Sequence, residues 1–401
     1  MRLNYAWYNT VSEIDISSWE GIYNNTSIYK SYHFAKTTET SNLKGVKFYY
    51  LILYCEKTVY AIVPCFTYNV ELEILAGNGL KNIINKGRTI FPNLLKSNLF
   101  VIGSPIATCE NHIGLSKDLI DNKDLLSELG DEVFNLLIDK ARNEKSKLII
   151  VKEIPNSELG CFKILFRDKF KIFESLPNSY IPIFKEQYPY PEILRKKYRQ
   201  RFKNAIKESE LKNYKWEFVS DFSSISDDIY RLYINVLEKS KNKFEKLTLD
   251  FFKQINEVMS ESSFVLTCRD FKGNLLCVEL IIEDKKSLIP MYIGLDYMFT
   301  KNSKVYQNVI FRTLIEAERL NKEWLILGQT SYNPKAYSGA YFEKLFLGIY
   351  SYNPFLKILI KRLFKFLFPI FKKPDVHSIK DDILFNSNFK NRVSNKSKIF
   401  E

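Results

Sequence analysis

Apolar runs and polar breaks follow one another along the chain in an order that occurs twice. Residues 46–69, VKFYYLILYCEKTVYAIVPCFTYN, are two β-rich runs about a polar Glu-Lys turn, the signal of a hairpin. The run LFVIG at 99–103 predicts a third strand. The segment DLLSELGDEVFNLLIDKARNEKSKLIIVKEIP then predicts a helix over 124–143 and a buried strand over 147–152. In the second half, SSFVLTCRD and LLCVELIIED flank the glycine-containing turn FKGN, and the strand LIPMYIGLD follows. A helix over 303–321 leads into WLILG at 324–328. Tyr306, Ile310, Leu314 and Ala317 share one face of that helix, and Ser303 is a candidate cap. The repeated hairpin–strand–helix–strand order predicts a duplicated domain of mixed α/β class, each copy a central mixed sheet flanked by helices.

The length of 401 residues exceeds what one compact core usually spans, in keeping with two domains. Four prolines over residues 176–192 mark the join, which divides the chain into 1–180, 181–350 and a tail over 351–401. After the join, Leu194, Tyr198, Phe202 and Ile206 form the apolar stripe of a helix. The last 25 or so residues, rich in Asn, Ser and Lys, are expected to be poorly ordered. The opening MRLNYAWYNTVSEID has no apolar core of a leader, and no run of 18 uncharged apolar residues occurs, so a cytoplasmic protein is expected. Six scattered cysteines fit buried, reduced thiols in that compartment.

The formal net charge of +13 is local. Residues 195–207, RKKYRQRFKNAIK, carry seven basic residues and no acid, and 357–373, KILIKRLFKFLFPIFKK, carry six and no acid. Together they equal the whole excess, which points to two anionic contacts rather than a generally polyanion-binding surface. In the tail, Lys357, Lys361 and Lys365 form a basic ridge beside Leu356, Ile360, Leu363, Phe364 and Phe371. Over 355–373 such a helix either lies at the inner face of an anionic membrane as a peripheral contact or docks on the second domain.

Several chemistries lack their residues. Only three histidines, His33, His112 and His377, are present, with no metal-ligand spacing, so no metal is expected. No GxSxG elbow, GxGxxG turn or Walker A loop occurs, which argues against serine hydrolysis, Rossmann redox chemistry and nucleotide hydrolysis. Direct transfer from a bound activated donor needs none of these groups. It needs a slot for the donor, a polarised carbonyl and a proton acceptor.

The segments LRKKYRQRFKNA (194–205), YRLYINVLEKSKNKFEKLTLDFF (230–252), YIGLDY (292–297), YQNVIFRTLIEAERL (306–320) and GQTSYNPKAYSGA (328–340) bear on that choice. In them the second half resembles the acetyltransferase-like (GNAT) domain of the FemAB-like, or peptidoglycan-biosynthesis-like, proteins. The resemblance covers about 190–345, and the first half fits more loosely. It implies tandem GNAT-like domains that transfer an acyl or aminoacyl group to an amine or hydroxyl. No cofactor is held permanently; acyl-CoA, acyl carrier protein or aminoacyl-tRNA serves as co-substrate.

On this reading Lys335 stabilises a developing oxyanion and Tyr332 donates a proton, against the plainer alternative that one is solvated and the other packs. Asp296 is a candidate base or amine binder, or else a turn cap. Tyr306, Gln307, Asn308 and Thr330 are candidate donor contacts around the helix start, Gln307 and Asn308 contacting either the donor or backbone. Arg195, Lys196 and Arg199 on the basic helix are candidates for tRNA phosphates, a carrier-protein phosphopantetheine arm or CoA, or else form a solvated face. The chain has no inserted coiled-coil arm such as supports tRNA recognition in some members, which weighs against tRNA as partner. His33 reads as a core or rim histidine, while His112 follows a strand in a polar loop and is a candidate to line a site in the first half. The leading expectation is a thioester-dependent N- or O-acyltransferase of cell-envelope, lipid or natural-product biosynthesis. An aminoacyl-tRNA-dependent peptide-bond former and a non-catalytic cell-wall or glycan binder are its rivals.

Overall fold

The predicted strands form. A computed structural model of the chain describes residues 3–24, 26–71, 96–184, 189–240, 246–300, 303–354, 356–358, 360 and 371–384. Its strands are β1 (Asn4–Tyr8), β2 (Val46–Cys55), β3 (Thr58–Glu71), β4 (Lys96–Ile102), β5 (Gly114–Leu115), β6 (Leu148–Pro155) and β7 (Lys171–Glu174), then β8 (Asn178–Pro182), β9 (Lys215–Val219), β10 (Ser263–Arg269), β11 (Leu275–Glu283), β12 (Ser287–Leu295), β13 (Trp324–Gly328), β14 (Tyr341–Glu343) and β15 (Leu345–Tyr350). The Glu56-Lys57 turn joins β2 to β3 as expected.

Two sheets result. One runs β1-β2-β3-β4-β6-β15-β7, with β5 beside β3; the other runs β9-β10-β11-β12-β13-β8-β14. Position by position the pairing senses agree. Among the described residues the parallel pairs are β4 with β6 and β12 with β13, and the pairs on either side are antiparallel. The two halves therefore have one architecture: tandem mixed α+β domains.

The sheets exchange a strand. β8 follows β7 in the chain yet lies in the second sheet, between β13 and β14. β15 follows β14 yet lies in the first, between β6 and β7. The proline-rich join is thus partly a strand, and a division at residue 180 cuts through it. Each sheet is completed by a segment that chain order assigns to the other half.

Helices cover both faces of each sheet. In the first half, helix Lys123–Asn143, capped by the Asn122 side chain, packs with helix Leu159–Phe166 over a core that includes Leu51, Phe100 and Ile149. Gly130 lets the two helices approach: a Cβ there would lie 1.5 Å from Leu165 O. In the second half, helices Lys196–Leu211 and Val305–Arg319 cover one face, burying Phe202, Val309, Ile310 and Leu314. Helices Ser226–Lys239 and Leu249–Val258 cover the other face. Their core also takes Tyr29, Phe34, Ile106 and Ala107 from the first half, so the two domains share buried apolar surface.

The tail departs from the expectation of disorder where it is described. The Arg195 amide donates to Ser378 O, Leu194 bridges to Ile379, and Ile379 and Ile383 are buried in the second core. Leu356 and Ile360 pack on the first sheet beside Phe66 and Leu99. Lys361 and Lys365, and residues 385–401, lie outside the described residues. Among the described residues no helix is long and apolar enough to cross a membrane.

Candidate functional site

β12 and β13 meet at only two register positions, Ser287 with Trp324 and Leu288 with Leu325. Beyond them β12 continues beside β11 and β13 beside β8, so the parallel strands part in the middle of the sheet. A parting of this kind opens a cleft at the carboxyl ends of the strands, where ligands of open α/β sheets bind. The start of helix Val305–Arg319 and the segment after β13 converge there. That segment is not the loop expected from its polarity. Thr330 and Ser331 adopt positive φ angles of 64° and 46°, and Tyr332–Tyr337 form a short helix with Pro334 in its first turn, where a missing amide costs nothing.

Lys335 lies on that short helix and is 5% exposed. Its Nζ donates to Leu327 O at 2.6 Å, Gln329 O at 2.8 Å and Gly328 O at 3.1 Å, tying the end of β13 to the helix. Burial pulls its pKa down to about 7, while the nearby Cys109 and Glu279 raise it. The three carbonyls favour the ammonium and work in the same upward direction. Tyr332 is half-buried, its hydroxyl donates to Pro177 O at 3.0 Å, and its ring packs edge-on against Phe342 and Phe371. Burial raises its pKa further above the ordinary tyrosine value.

Asp296 terminates β12. Its Oδ1 accepts from the Met298 amide at 3.0 Å, and Arg231 stands 3.9 Å from its other oxygen. Tyr306 lies at the helix start, pushed up to about 12 by burial and by Glu279, with the Ser331 side chain offsetting part of that rise. Gln307 and Thr330 are exposed. Asn308 is buried and joins two helices, its Nδ2 donating to Ala205 O at 2.8 Å. Ser303 accepts from the Val305 amide at 3.3 Å. The Glu208 carboxylate already reaches the helix start, 3.3 Å from the Lys304 amide and 3.5 Å from Lys304 Nζ. On the basic helix, Arg195 pairs with Asp381 and Arg199 with Glu192, whereas Lys196 is exposed.

Sequence reasoning missed Glu279. It lies in β11, 6% exposed, and Thr313 Oγ1 donates to its Oε2 at 2.6 Å. Burial pushes its pKa up to about 7, against the lowering effects of Thr313 and Lys335. The signal was legible: one carboxylate in the apolar run LLCVELII. A buried acid is costly unless it serves a function or is fully paired. Glu279, Tyr306 and Lys335 thus form one electrostatically linked group beneath the parted strands. The first-half loop carrying Cys109 reaches within electrostatic range of Lys335 and Tyr332.

The chain has a tandem GNAT-like fold similar to that of FemAB-like proteins. No protein family matches the sequence, and no curated protein is similar to it in sequence. Solved structures are similar in fold. The crystal structure of FemX superposes with a TM-score of 0.56 at 12% identity, covering 90% of this chain and 100% of that one. The C-terminal domain of a proposed lysylphosphatidylglycerol synthetase of Agrobacterium fabrum gives 0.51 at 10% identity, covering 88% and 97%. A tandem GNAT protein of the clavulanic acid biosynthesis pathway gives 0.51 at 5% identity, covering 88% and 99%.

Proposed function

We propose that the protein is an N- or O-acyltransferase that takes an acyl group from an activated thioester, acyl-CoA or acyl carrier protein, and transfers it in the second domain. The observation that carries this reading is the parting of β12 from β13 above Glu279, Tyr306 and Lys335. An amine or hydroxyl attacks the thioester carbonyl, the carbon–sulfur bond breaks, and the nucleophile's proton must leave as the thiolate departs. Glu279, poised near neutrality, is suited to receive that proton through the Tyr306 hydroxyl, which stays protonated and can pass it on. Lys335 supplies positive charge near the carbonyl oxygen while its hydrogen bonds hold the Leu327–Gln329 backbone in place. Tyr332 and Asp296 shape the two ends of the cleft, and Gln307 and Thr330 are the exposed polar groups at its mouth. Lys196, exposed on the basic helix, is a cation suited to a donor phosphate.

The test is thiol release from a panel of acyl-CoA and acyl carrier protein thioesters with amine and alcohol acceptors, repeated after RNase treatment. Acceptor-dependent thiol release that is lost in Glu279→Gln and indifferent to RNase is expected. Transfer that RNase abolishes would move the donor to aminoacyl-tRNA. Binding of acceptors without release of thiol from any donor would favour the non-catalytic reading.

A further inference from the structure

The second sheet ends in an exposed apolar fringe. Leu211 closes helix Lys196–Leu211, Phe271 lies in the turn between β10 and β11, and Met298 and Phe299 lie on the short helix Tyr297–Thr300. Each is between 50% and 88% exposed. They are four of the nine exposed large apolar side chains among the described residues, and the strand register gathers all four at one end of the sheet. Lys215 pairs with Arg269, which sets the chain after Leu211 beside the β10–β11 turn. Cys277 pairs with Leu295, and the Asp296 amide donates to Leu276 O at 2.8 Å, which sets Tyr297–Thr300 beside the same turn. The row from β9 to β12 spans three strand spacings, about 14 Å. This is also the end at which β12 and β13 part. The Lys304–Glu208 ion pair ties the start of helix Val305–Arg319 to the last turn before Leu211, so the fringe borders the mouth of the cleft.

The local structure does not require these side chains. Asp270 closes the β10–β11 turn by accepting from the Lys272 and Asn274 amides at 2.9 Å each, whatever stands at position 271. Asp296 holds the short helix through the Met298 amide, and the Met298 and Phe299 side chains lie mostly outside any core. A single exposed apolar residue is ordinary, but a group of them on protruding tips marks a contact. Four acids at this end are already engaged. Glu208 meets Lys212 and Lys304, Glu210 lies within electrostatic range of Arg312, Asp270 serves its turn, and Asp296 faces Arg231. Lys215, Lys239 and Lys272 are exposed and make no ion pair among the described residues. Lys239 Nζ stands 3.4 Å from the centroid of the Tyr297 ring, beside the short helix. Separate apolar tips among flexible lysines suit the headgroup region of an anionic bilayer better than the flat, packed face of a protein partner.

We propose that this end of the second domain is a membrane-docking surface. Leu211, Phe271, Met298 and Phe299 enter the headgroup region of an anionic bilayer, and the neighbouring lysines meet its phosphates. The contact is separate from the basic tail and does not rest on the acyl-transfer reading. Under that reading the cleft mouth faces the bilayer, which suits a substrate carried on an acyl chain.

The full chain is sedimented with vesicles of phosphatidylglycerol and phosphatidylcholine, with the tail intact throughout. Phe271→Ser combined with Met298→Ser and Phe299→Ser should weaken binding about tenfold or more. Ile16→Ser combined with Ile120→Ser removes exposed apolar side chains of the first domain and should leave binding unchanged. Phe271→Trp should be quenched by lipids brominated in their acyl chains, and Ile120→Trp should not. All these side chains are exposed, so none of the substitutions opens a core. Failure of the unmodified protein to bind these vesicles, full binding by the triple variant, or equal quenching of the two introduced tryptophans overturns the proposal. Self-association without lipid that the triple variant abolishes would make the fringe a contact between copies of this chain and overturn it too. No turnover enters these measurements, so a failure of the acyl-transfer reading is told apart from a failure of this one.

Discussion

Thr313 Oγ1 donates a 2.6 Å hydrogen bond to Glu279 Oε2, so a helix hydroxyl is the partner that the fold gives to a carboxyl buried in its central sheet. One neutral donor does not offset the loss of water around a carboxylate, which is why the pKa rises to about 7.

Folding raises this pKa above its ordinary 4.5, so the folded protein holds a proton that the unfolded chain releases. Stability from this group is fully present below about 4.5 and is lost as pH rises through about 7. The loss is about 3 kcal/mol at most. Glu110, also buried and also pushed up to about 7, adds a second contribution of the same sign. Urea melts between pH 4 and 8 should show the stability of Glu279→Gln gaining on that of the parent as pH rises, while buried His112, held well below its ordinary value, works in the opposite sense in both proteins. Activity should rise with pH through the same window, because only the ionised carboxylate accepts a proton. Equal slopes for the two proteins would mean Glu279 titrates normally.

Lys335→Met should lower turnover on the order of a hundredfold, corresponding to about 2–4 kcal/mol, and weaken donor binding less. The Leu327 and Gln329 carbonyls, which lose its hydrogen bonds, should also cost about 1–3 kcal/mol of stability, while Gly328 O keeps its bond from the Ser179 hydroxyl. Tyr332→Phe removes one hydrogen bond to Pro177 O and should cost about 1 kcal/mol of stability and less activity than Lys335→Met. Steady-state kinetics beside thermal melts separate the two effects. Parental kcat in folded Lys335→Met would leave the lysine with a purely structural task.

Removing residues 345–401 should unfold the first domain as well as strip Ile379 and Ile383 from the second core. β15 pairs with both β6 and β7, at Gly348 with Val151 and with Ile172, so its loss splits the first sheet. Likewise a fragment ending at residue 177 lacks nothing of the first sheet except β15, and adding a peptide of residues 345–350 in trans is the corresponding rescue. Hydrogen exchange on the truncated chain should show lost protection in β6. Retained protection there would mean that the strand exchange contributes little.

Gly130→Ala should be among the most damaging single substitutions in the chain, costing on the order of 3 kcal/mol or more. Its Cβ would have to displace the Leu165 carbonyl, so two packed helices must separate. Gly294→Ala, where a Cβ would meet Leu232 Cβ at 2.7 Å and the Tyr233 amide at 2.9 Å, should come next. Gly160→Ala has open space at its Cβ and is the control. Chemical denaturation of the three variants ranks them.

Replacing Lys357, Lys361 and Lys365 with Glu should reduce sedimentation with anionic vesicles, and added salt should do the same to the unmodified protein. Leu356 and Ile360 pack on the first sheet, so part of the apolar face is already covered. Sedimentation unchanged by either treatment would leave docking as the tail's whole role.

Much of the secondary structure is local, and local chemistry was enough to read it. The Glu56-Lys57 turn, the apolar face of Tyr306, Ile310, Leu314 and Ala317, and the repeat of hairpin, strand, helix and strand all follow from side-chain periods within one element. The cleft-forming elements were legible for the same reason. The strand exchange was not, because the alternation of a short apolar strand such as β8 or β15 says that it is buried and not in which sheet. Thr330 and Ser331 could not be read as the entry to a helix, since their positive φ angles arise from the turn they must make after β13. Nor could the sequence by itself give the states of Glu279, Lys335 and His112. A carboxyl, an ammonium and an imidazole acquire shifted pKa values only when distant segments fold over them and remove water. That is a property of the assembled tertiary structure and of no stretch of chain alone.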